Sequence, residues 1–197
     1  MKLVFATNNQ HKLHEIKHLL DGSFELLSLN DINCTDDIPE NQETIEGNAS
    51  EKAFYIWNKY QINCFADDTG LEIEALNGEP GVYSARYAGE EKSPEKNIEL
   101  VLQKLTKINN RKARFKTIIS LVINGEEVQF EGIVDGKILE EKRGQSGFGY
   151  DPIFQPDESS FSFAEMPLAE KNKISHRGRA TQKLVDYLNQ LIKNEQL

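Results

Sequence analysis

Two adjacent carboxylates and a hydroxyl lie in the segment Phe65-Ala66-Asp67-Asp68-Thr69-Gly70-Leu71-Glu72, after an apolar approach. Glycine is common where a chain bends sharply or approaches a ligand, so we predict a turn at Gly70. Neighbouring carboxylates repel one another unless water, a cation or a hydrogen-bond donor compensates them. A hard cation such as Mg²⁺ suits the pair, but a solvated acidic turn explains this segment alone equally well.

The composition is typical of one globular unit. The chain has 197 residues, of which 38% are hydrophobic and 28% charged. Its net charge of -9 argues against nucleic-acid binding, which needs a basic face, but leaves a polyphosphate small molecule open. Cys34 and Cys64 show no Cys-x-x-Cys spacing, so we expect free, buried thiols in a cytoplasmic protein. Because no apolar run would span a bilayer, we expect no membrane partner.

Apolar periodicity predicts strands that alternate with helices and then a hairpin. Strands are predicted at 3–6, 24–29, 71–76, 113–123 and 127–134. Helices are predicted after Asn9 to about residue 20, over 45–59 after Thr44, from Pro94 after Ser93, and after Ser175. We find no repeat or linker, so a single domain over 1–197 is expected.

The first predicted strand runs directly into a helix N-terminus at Thr7-Asn8-Asn9. Backbone N–H groups and the helix dipole attract anions at such a position, and Lys12 adds a positive charge. The segment has no glycine-rich phosphate loop, however, so the segment alone favours an ordinary strand-to-helix connection.

Three further patterns have both a structural and a functional interpretation. Asn48 and Lys52 share a helix face that is typical of a solvated surface. Aromatic residues alternate with glycines over 148–154, which suits either a stacked base or a packed loop. His176 and Arg177 lie in a helix's first turn, where positive charge gains nothing from the dipole, and this indicates an anionic or hydrogen-bonding ligand.

Five ordered motifs together resemble the inosine/xanthosine triphosphate pyrophosphatases, enzymes that remove non-canonical purine nucleotides. The motifs are Ala6-Thr7-Asn8-Asn9-Gln10-His11-Lys12-Leu13-His14-Glu15, Asp67-Asp68-Thr69-Gly70-Leu71 with Pro80-Gly81, Ser84-Ala85-Arg86-Tyr87-Ala88-Gly89, Phe148-Gly149-Tyr150-Asp151-Pro152, and Ser175-His176-Arg177-Gly178. They span almost the whole chain. The resemblance implies an α/β fold with a mixed twisted sheet flanked by helices, in an elongated two-lobed unit with a central active-site cleft.

The resemblance also implies a role for individual residues. Asp68 is the implied proton acceptor and a Mg²⁺ ligand, with Glu40 and, more weakly, Asp67 as further metal carboxylates. Thr69 stands where the family usually has serine, so the hydroxyl is kept. Substrate contacts are implied at Thr7, Asn8, Asn9, Gln10, His11, Lys12, Lys52, Thr69, Phe148, Gly149, Tyr150, Asp151, Lys171, His176 and Arg177.

One position departs from the family pattern. Gly47 stands where the family more often has a glutamate, so Glu40, Asp67 and Asp68 would have to hold the metal here, with Glu46 as a weaker candidate. This departure raises the question of what the glycine does.

The implied reaction is Mg²⁺-dependent hydrolysis of ITP, dITP or XTP between the α- and β-phosphates, giving a monophosphate and pyrophosphate. A donor such as Arg177 or His176 is hypothesised to recognise the 6-oxo group, and a homodimer is implied. Two alternatives stay open at this point: a septum-inhibitor-type pyrophosphatase acting on other nucleotides, and a catalytically silent nucleotide-binding regulator.

Overall fold

The computed structural model describes residues 2–20 and 24–195 and, within them, five α-helices and seven strands. The helices are α1 (Gln10–Leu19), α2 (Ile45–Tyr60), α3 (Pro94–Lys104), α4 (Leu168–Ile174) and α5 (His176–Glu195). The strands are β1 (Lys2–Phe5), β2 (Glu25–Leu27), β3 (Cys64–Ile73), β4 (Pro80–Gly81), β5 (Lys112–Ile123), β6 (Glu126–Ile138) and β7 (Phe154–Pro156). None of the helices in these ranges is long and apolar enough to cross a membrane.

The strands form one mixed sheet in the order β2-β1-β3-β5-β6-β7, with β4 paired to β3. Strand β1 is parallel to both β2 and β3, whereas the β3–β4 and β6–β7 pairs are antiparallel. The predicted mixed sheet with flanking helices is therefore confirmed.

The chain divides into two compact units, and several strands contribute residues to both. The first unit comprises Met1–Asp68, Thr117–Gly132 and Arg177–Leu197, and the second comprises Thr69–Lys116 and Ile133–His176. The predicted two-lobed single domain and its central cleft stay predictions.

In the first unit, the strands send alternate side chains into two separate cores. Phe5 and Phe65 stack with their ring centroids 4.6 Å apart, in the core that includes side chains of α1 and α5. Val4 and Ala66, one residue away along the same strands, enter the core that includes Ala53 of α2. This alternation decides which helices Asp67 and Asp68 meet.

The second unit has its own core, which is rich in aromatic residues. The Phe115 ring lies 4.7 Å from the Phe154 ring and 4.5 Å from the His176 ring, which stacks on it nearly parallel. Apolar residues of α3, including Ile98 and Val101, complete this core.

Most predicted elements are confirmed, but the turn at Gly70 is wrong, and the strand predicted over 71–76 ends at Ile73, before a 3₁₀ helix at Glu74–Leu76. Thr44 and Ser93 cap α2 and α3 through their side chains, and Asn124 and Gly125 join β5 to β6 with positive φ angles, as a two-residue hairpin requires. The turn predicted at Gly70 does not exist, because β3 runs without interruption from Cys64 to Ile73. Helix α4 was not predicted, since its seven largely polar residues carry little periodicity.

Candidate active site

Asp67 and Asp68 point to opposite faces of the sheet because both lie inside β3. Asp67 follows Phe65 onto the face covered by α1 and α5, and Asp68 follows Ala66 onto the face covered by α2. The strand therefore separates two like charges that are adjacent in the sequence, and each carboxylate has different partners.

Asp67 is enclosed by positive charge. Lys12 Nζ donates to Asp67 Oδ1 at 3.0 Å, and Arg177 Nε donates to Asp67 Oδ2 at 3.1 Å. Arg177 also donates through Nη1 to Glu15 Oε2 at 2.5 Å. The Asp67, Glu15 and Arg177 side chains are buried. These contacts form a chain of alternating charges from α1 through β3 to α5.

The buried charges shift one another's protonation. Burial by itself raises the pKa of Asp67, but the charges of Lys12, Arg177 and Lys52 outweigh it and hold that pKa well below its ordinary range. Burial lowers the pKa of Lys12, with Asp67 opposing the effect. Burial also opposes the charge on Arg177, but Asp67 and Glu15 raise the pKa of its guanidinium above the usual value. The two neighbouring cations thus favour the ionised form of Asp67.

Asp68 lies in a looser arrangement on the other face. Lys52 Nζ donates to Glu40 Oε1 at 2.6 Å and to Asp68 Oδ1 at 3.3 Å, and Asn48 Nδ2 donates to Asp68 Oδ2 at 3.4 Å. Both contacts to Asp68 are longer than a typical hydrogen bond. Asn48 is 1% and Lys52 5% exposed, so the solvated face that their spacing predicted is wrong.

The carboxylates on the two faces also differ in their pKa. Burial raises the pKa of Asp68, and the charges of Lys52 and Lys12 offset only part of that effect. Burial lowers the pKa of Lys52, but Asp68 and Glu40 outweigh it, so the pKa of Lys52 lies above its ordinary value. A carboxylate whose pKa is raised toward neutrality is the better proton acceptor, and this favours Asp68 over Asp67.

The loop before α1 satisfies much of its own backbone. Asn9 Oδ1 accepts from the N–H groups of His11 and Lys12 at 3.0 and 3.2 Å, and Thr7 Oγ1 accepts from the N–H of Asn9 at 3.1 Å. Asn9 is therefore the N-cap of α1, as its residue type predicts. With those N–H groups engaged, the Lys12 ammonium is the main candidate here for contact with a phosphate. Asn8 and Gln10 are exposed beside it.

The donor set around Asp68 fits a hard cation that arrives with further ligands. Among the described residues, no group of three or more His, Cys, Asp or Glu side chains is arranged to hold a metal ion. Glu40 and Asp68 do converge on the same ammonium, and Mg²⁺ is commonly held by one or two carboxylates plus substrate phosphates. Asp67 is not brought to this pair, since it lies on the opposite face.

In the second unit, the residues from the aromatic–glycine segment surround a buried ion pair. Lys171 Nζ donates to Asp151 Oδ2 at 2.7 Å, and the same oxygen accepts from the Phe148 N–H at 2.8 Å. The ammonium lies 5.2 Å from the centroid of the half-buried Phe148 ring. Gly147 is required, because a Cβ there would lie 2.1 Å from the Asp151 carboxylate. A Cβ added to Gly149 would meet no atom within 4 Å, so this backbone borders open space.

Two other predicted contact residues have structural partners in this unit. The Tyr150 hydroxyl is buried and donates to the Ser84 carbonyl at 2.7 Å. His176 is also buried and stacks on Phe115. Thr69 is half-buried within β3.

Two residues with a clear place in this arrangement were not predicted from the sequence. Glu15 is buried on α1 one turn after Lys12, and a carboxylate next to the core-facing Ile16 was the signal that could have identified it. Asn48 was noticed but assigned to solvent, although an amide one turn before a lysine would equally suit a buried carboxylate.

Phosphorylated ligands of α/β proteins commonly bind where a parallel strand ends and a helix begins, as β1 and α1 do beside Lys12. Comparison with known proteins makes the assignment specific: residues 3–187 match the model of the Ham1 family, and the chain belongs to that family.

The similarity to individual proteins covers nearly the whole chain. A protein named dITP/XTP pyrophosphatase from Flavobacterium johnsoniae is 56% identical over 95% of this chain and 98% of its own length. One of the same name from Christiangramia forsetii is 58% identical, with coverages of 96% and 100%. The structure of the Staphylococcus aureus Ham1 protein superposes with a TM-score of 0.87 at 39% identity, covering 96% of this chain and 98% of that one. The resemblance noted from the motifs is therefore confirmed.

Proposed function

We propose that this protein is a Mg²⁺-dependent nucleoside triphosphate pyrophosphatase that acts on non-canonical purine nucleotides, ITP, dITP and XTP among them. The observation that carries the proposal is the paired arrangement in β3, in which a carboxylate lies beside Lys52 and Glu40 and a second carboxylate lies beside Lys12. The names of the similar proteins support the same reaction and the dITP and XTP substrates.

In this mechanism Asp68 accepts the proton of the attacking water. Its burial raises its pKa, and general-base assistance of this kind is typically worth about 10²–10⁴-fold in rate. Lys52 and Lys12, whose charges both act on Asp68, offset the negative charge that develops on the leaving pyrophosphate. Glu40 and Asp68 would hold Mg²⁺, which supplies charge neutralisation on the phosphate oxygens when bound. Phosphoryl transfer asks mainly for such positioning and neutralisation, so no covalent nucleophile is required.

Base recognition is proposed for the second unit rather than for Arg177. Two of the guanidinium nitrogens of Arg177 already donate to Asp67 and Glu15, which gives Arg177 the role of fixing Asp67. Phe148 offers a half-buried ring for stacking, and the open space at Gly149 allows a planar base to approach the backbone. His176 stays the candidate donor to the 6-oxo group.

The testing experiment is pyrophosphate release from ITP, dITP, XTP, GTP, ATP and dUTP, each with Mg²⁺ and with a chelator. We expect strong turnover of the first three only, lost on chelation and in the Asp68→Asn variant. Turnover concentrated on dUTP would favour the septum-inhibitor-type alternative. Tight ITP binding without turnover of any nucleotide would favour the silent regulator.

The same proposal includes a homodimer and a cytoplasmic location. Both Cys34 and Cys64 are buried free thiols, which suits a reducing compartment. The homodimer rests on the family resemblance, and light scattering of the purified protein would test it: a monomer mass at micromolar concentration would contradict it.

A further inference from the structure

The backbone that carries Glu40 is fastened to helix α2 directly after this residue. The Asn41 N–H donates to Glu51 Oε2 at 2.8 Å, and the Gln42 N–H donates to Asn48 Oδ1 at 2.9 Å. Gln42 Nε2 adds a third, longer contact to Glu51 Oε1 at 3.3 Å. Two successive backbone N–H groups of an irregular segment are therefore held by side chains one turn apart on α2.

Gly47 leaves the room that this arrangement needs. A Cβ built on Gly47 would lie 2.8 Å from Gln42 Cβ and 3.0 Å from Thr44 Oγ1. Gln42 Cβ is attached directly to the backbone, so it cannot move aside without displacing the segment. A side chain at position 47 is therefore incompatible with the present placement of Gln42. We call Gln42, Gly47, Asn48 and Glu51 the α2 clamp.

Glu40 directly precedes this fastened backbone, and its own carboxylate contacts a buried lysine. Glu40 is about one-third exposed, with a side-chain accessibility of 32%, yet its Oε1 lies 2.6 Å from Lys52 Nζ. A carboxylate on a loop keeps one position only if the backbone beside it is fixed. Asn48 connects the segment after Glu40 to Asp68, because its Oδ1 accepts from the Gln42 N–H while its Nδ2 donates to Asp68.

We infer that the α2 clamp is a set of positioning residues that holds Glu40 in place as a metal ligand, and that the lack of a side chain at Gly47 permits this arrangement. The inference rests on the proposed function in one respect, namely that Glu40 and Asp68 receive a divalent cation. Partners that orient metal-binding carboxylates typically matter about 10–100-fold in metal affinity.

The test compares Mn²⁺ affinity, followed by water-proton relaxation without nucleotide, in four variants and the wild type. Glu51→Ala removes the partner of Asn41, and Gly47→Ala introduces the clash with Gln42. We expect each to weaken Mn²⁺ binding about tenfold. The Gln42→Gly/Gly47→Ala double variant removes the clashing Cβ and is expected to return to within about threefold of the wild type. Glu43→Ala, which removes an exposed charge from the same segment, is the matched control and should leave the affinity unchanged.

A second readout separates positioning from general destabilisation. In turnover with ITP, Glu51→Ala and Gly47→Ala should raise the Mg²⁺ concentration needed for half-maximal rate about tenfold, while kcat at saturating Mg²⁺ stays within about twofold. If all the proteins share one Mn²⁺ affinity, if none binds Mn²⁺, or if Gly47→Ala is not restored by Gln42→Gly, the inference is overturned. Failure of the proposed function would show itself differently, as absent pyrophosphate release by the wild type, because the Mn²⁺ measurement needs no turnover.

Discussion

Neutralising Asp67 or Asp68 in turn tests whether the two carboxylates lie on opposite faces of the sheet with different partners, because the two substitutions are chemically identical and one residue apart. Asp67→Asn leaves an amide with one acceptor oxygen between two charged donors, so either Lys12 Nζ or Arg177 Nε loses its contact to residue 67, although Arg177 keeps its contact to Glu15. Removing one member of a buried ion pair typically costs about 3–5 kcal/mol. For a chain of this length, that predicts a fall in Tm of roughly 6–20 °C.

Asp68→Asn should have the opposite profile. Both contacts to Asp68 are long, and burial disfavours its charged form, so a neutral amide removes little that stabilises the fold. We expect the free energy of unfolding to stay within about 1 kcal/mol of the wild type, while the rate of pyrophosphate release falls about 10²–10⁴-fold. Lys52 keeps its contact to Glu40 in this variant.

The assay is urea unfolding followed by circular dichroism, paired with pyrophosphate release from ITP, on both variants and the wild type. Equal losses of stability in the two variants would refute the assignment of the carboxylates to different faces and partners. So would an Asp67→Asn variant as stable as the wild type.

Three further outcomes follow from individual contacts. Burial raises the pKa of Cys64 to about 12, so its thiolate fraction at pH 8 is about 10⁻⁴. Iodoacetamide should therefore leave Cys64 unmodified in the native protein and modify it in denaturant. Peptide mass spectrometry would detect the difference. Tyr150→Phe removes the hydroxyl that donates to the Ser84 carbonyl, so a buried acceptor loses its partner. We expect the free energy of unfolding to fall by about 1–3 kcal/mol in urea titrations, and no change would exclude that contact. Gly136→Ala would place a Cβ 2.3 Å from the Gln155 carbonyl oxygen. We therefore expect the free energy of unfolding to fall by about 1–3 kcal/mol in the same assay. An alanine variant of native stability would contradict the β6–β7 register.

The sequence allowed most of the fold to be predicted, because its signals are local. A capping residue before an apolar helical period, or Asn-Gly between two alternating runs, depends on nearby residues only. The site was harder. Gly70 suggested a turn, and a turn would have put Asp67 and Asp68 in one acidic cluster; only the uninterrupted strand shows that they face apart. The Glu15–Arg177 contact joins residues 162 positions apart, and no local pattern predicts such a pair.

The residue roles depended on the family resemblance, and the structure divides them into three groups of neighbours. The charged residues of the first unit form two of these groups, one on each face of the sheet, and the ion pair of Lys171 and Asp151 belongs to the third. The resemblance named these residues without indicating which of them touch each other. The physical grouping comes from strand alternation and from the helices that cover each face.

In β3, the face on which a side chain lies depends on whether its position along the strand is odd or even. Because successive residues face opposite sides, a single inserted or deleted residue just before Asp67 would exchange the surroundings of the two carboxylates and disable both at once. A point substitution, in contrast, affects one face and leaves the other intact. In a mutational scan of this gene we therefore expect β3 to accept some changes of residue type, whereas frame-preserving codon insertions and deletions there are eliminated as thoroughly as the loss of Asp68 itself.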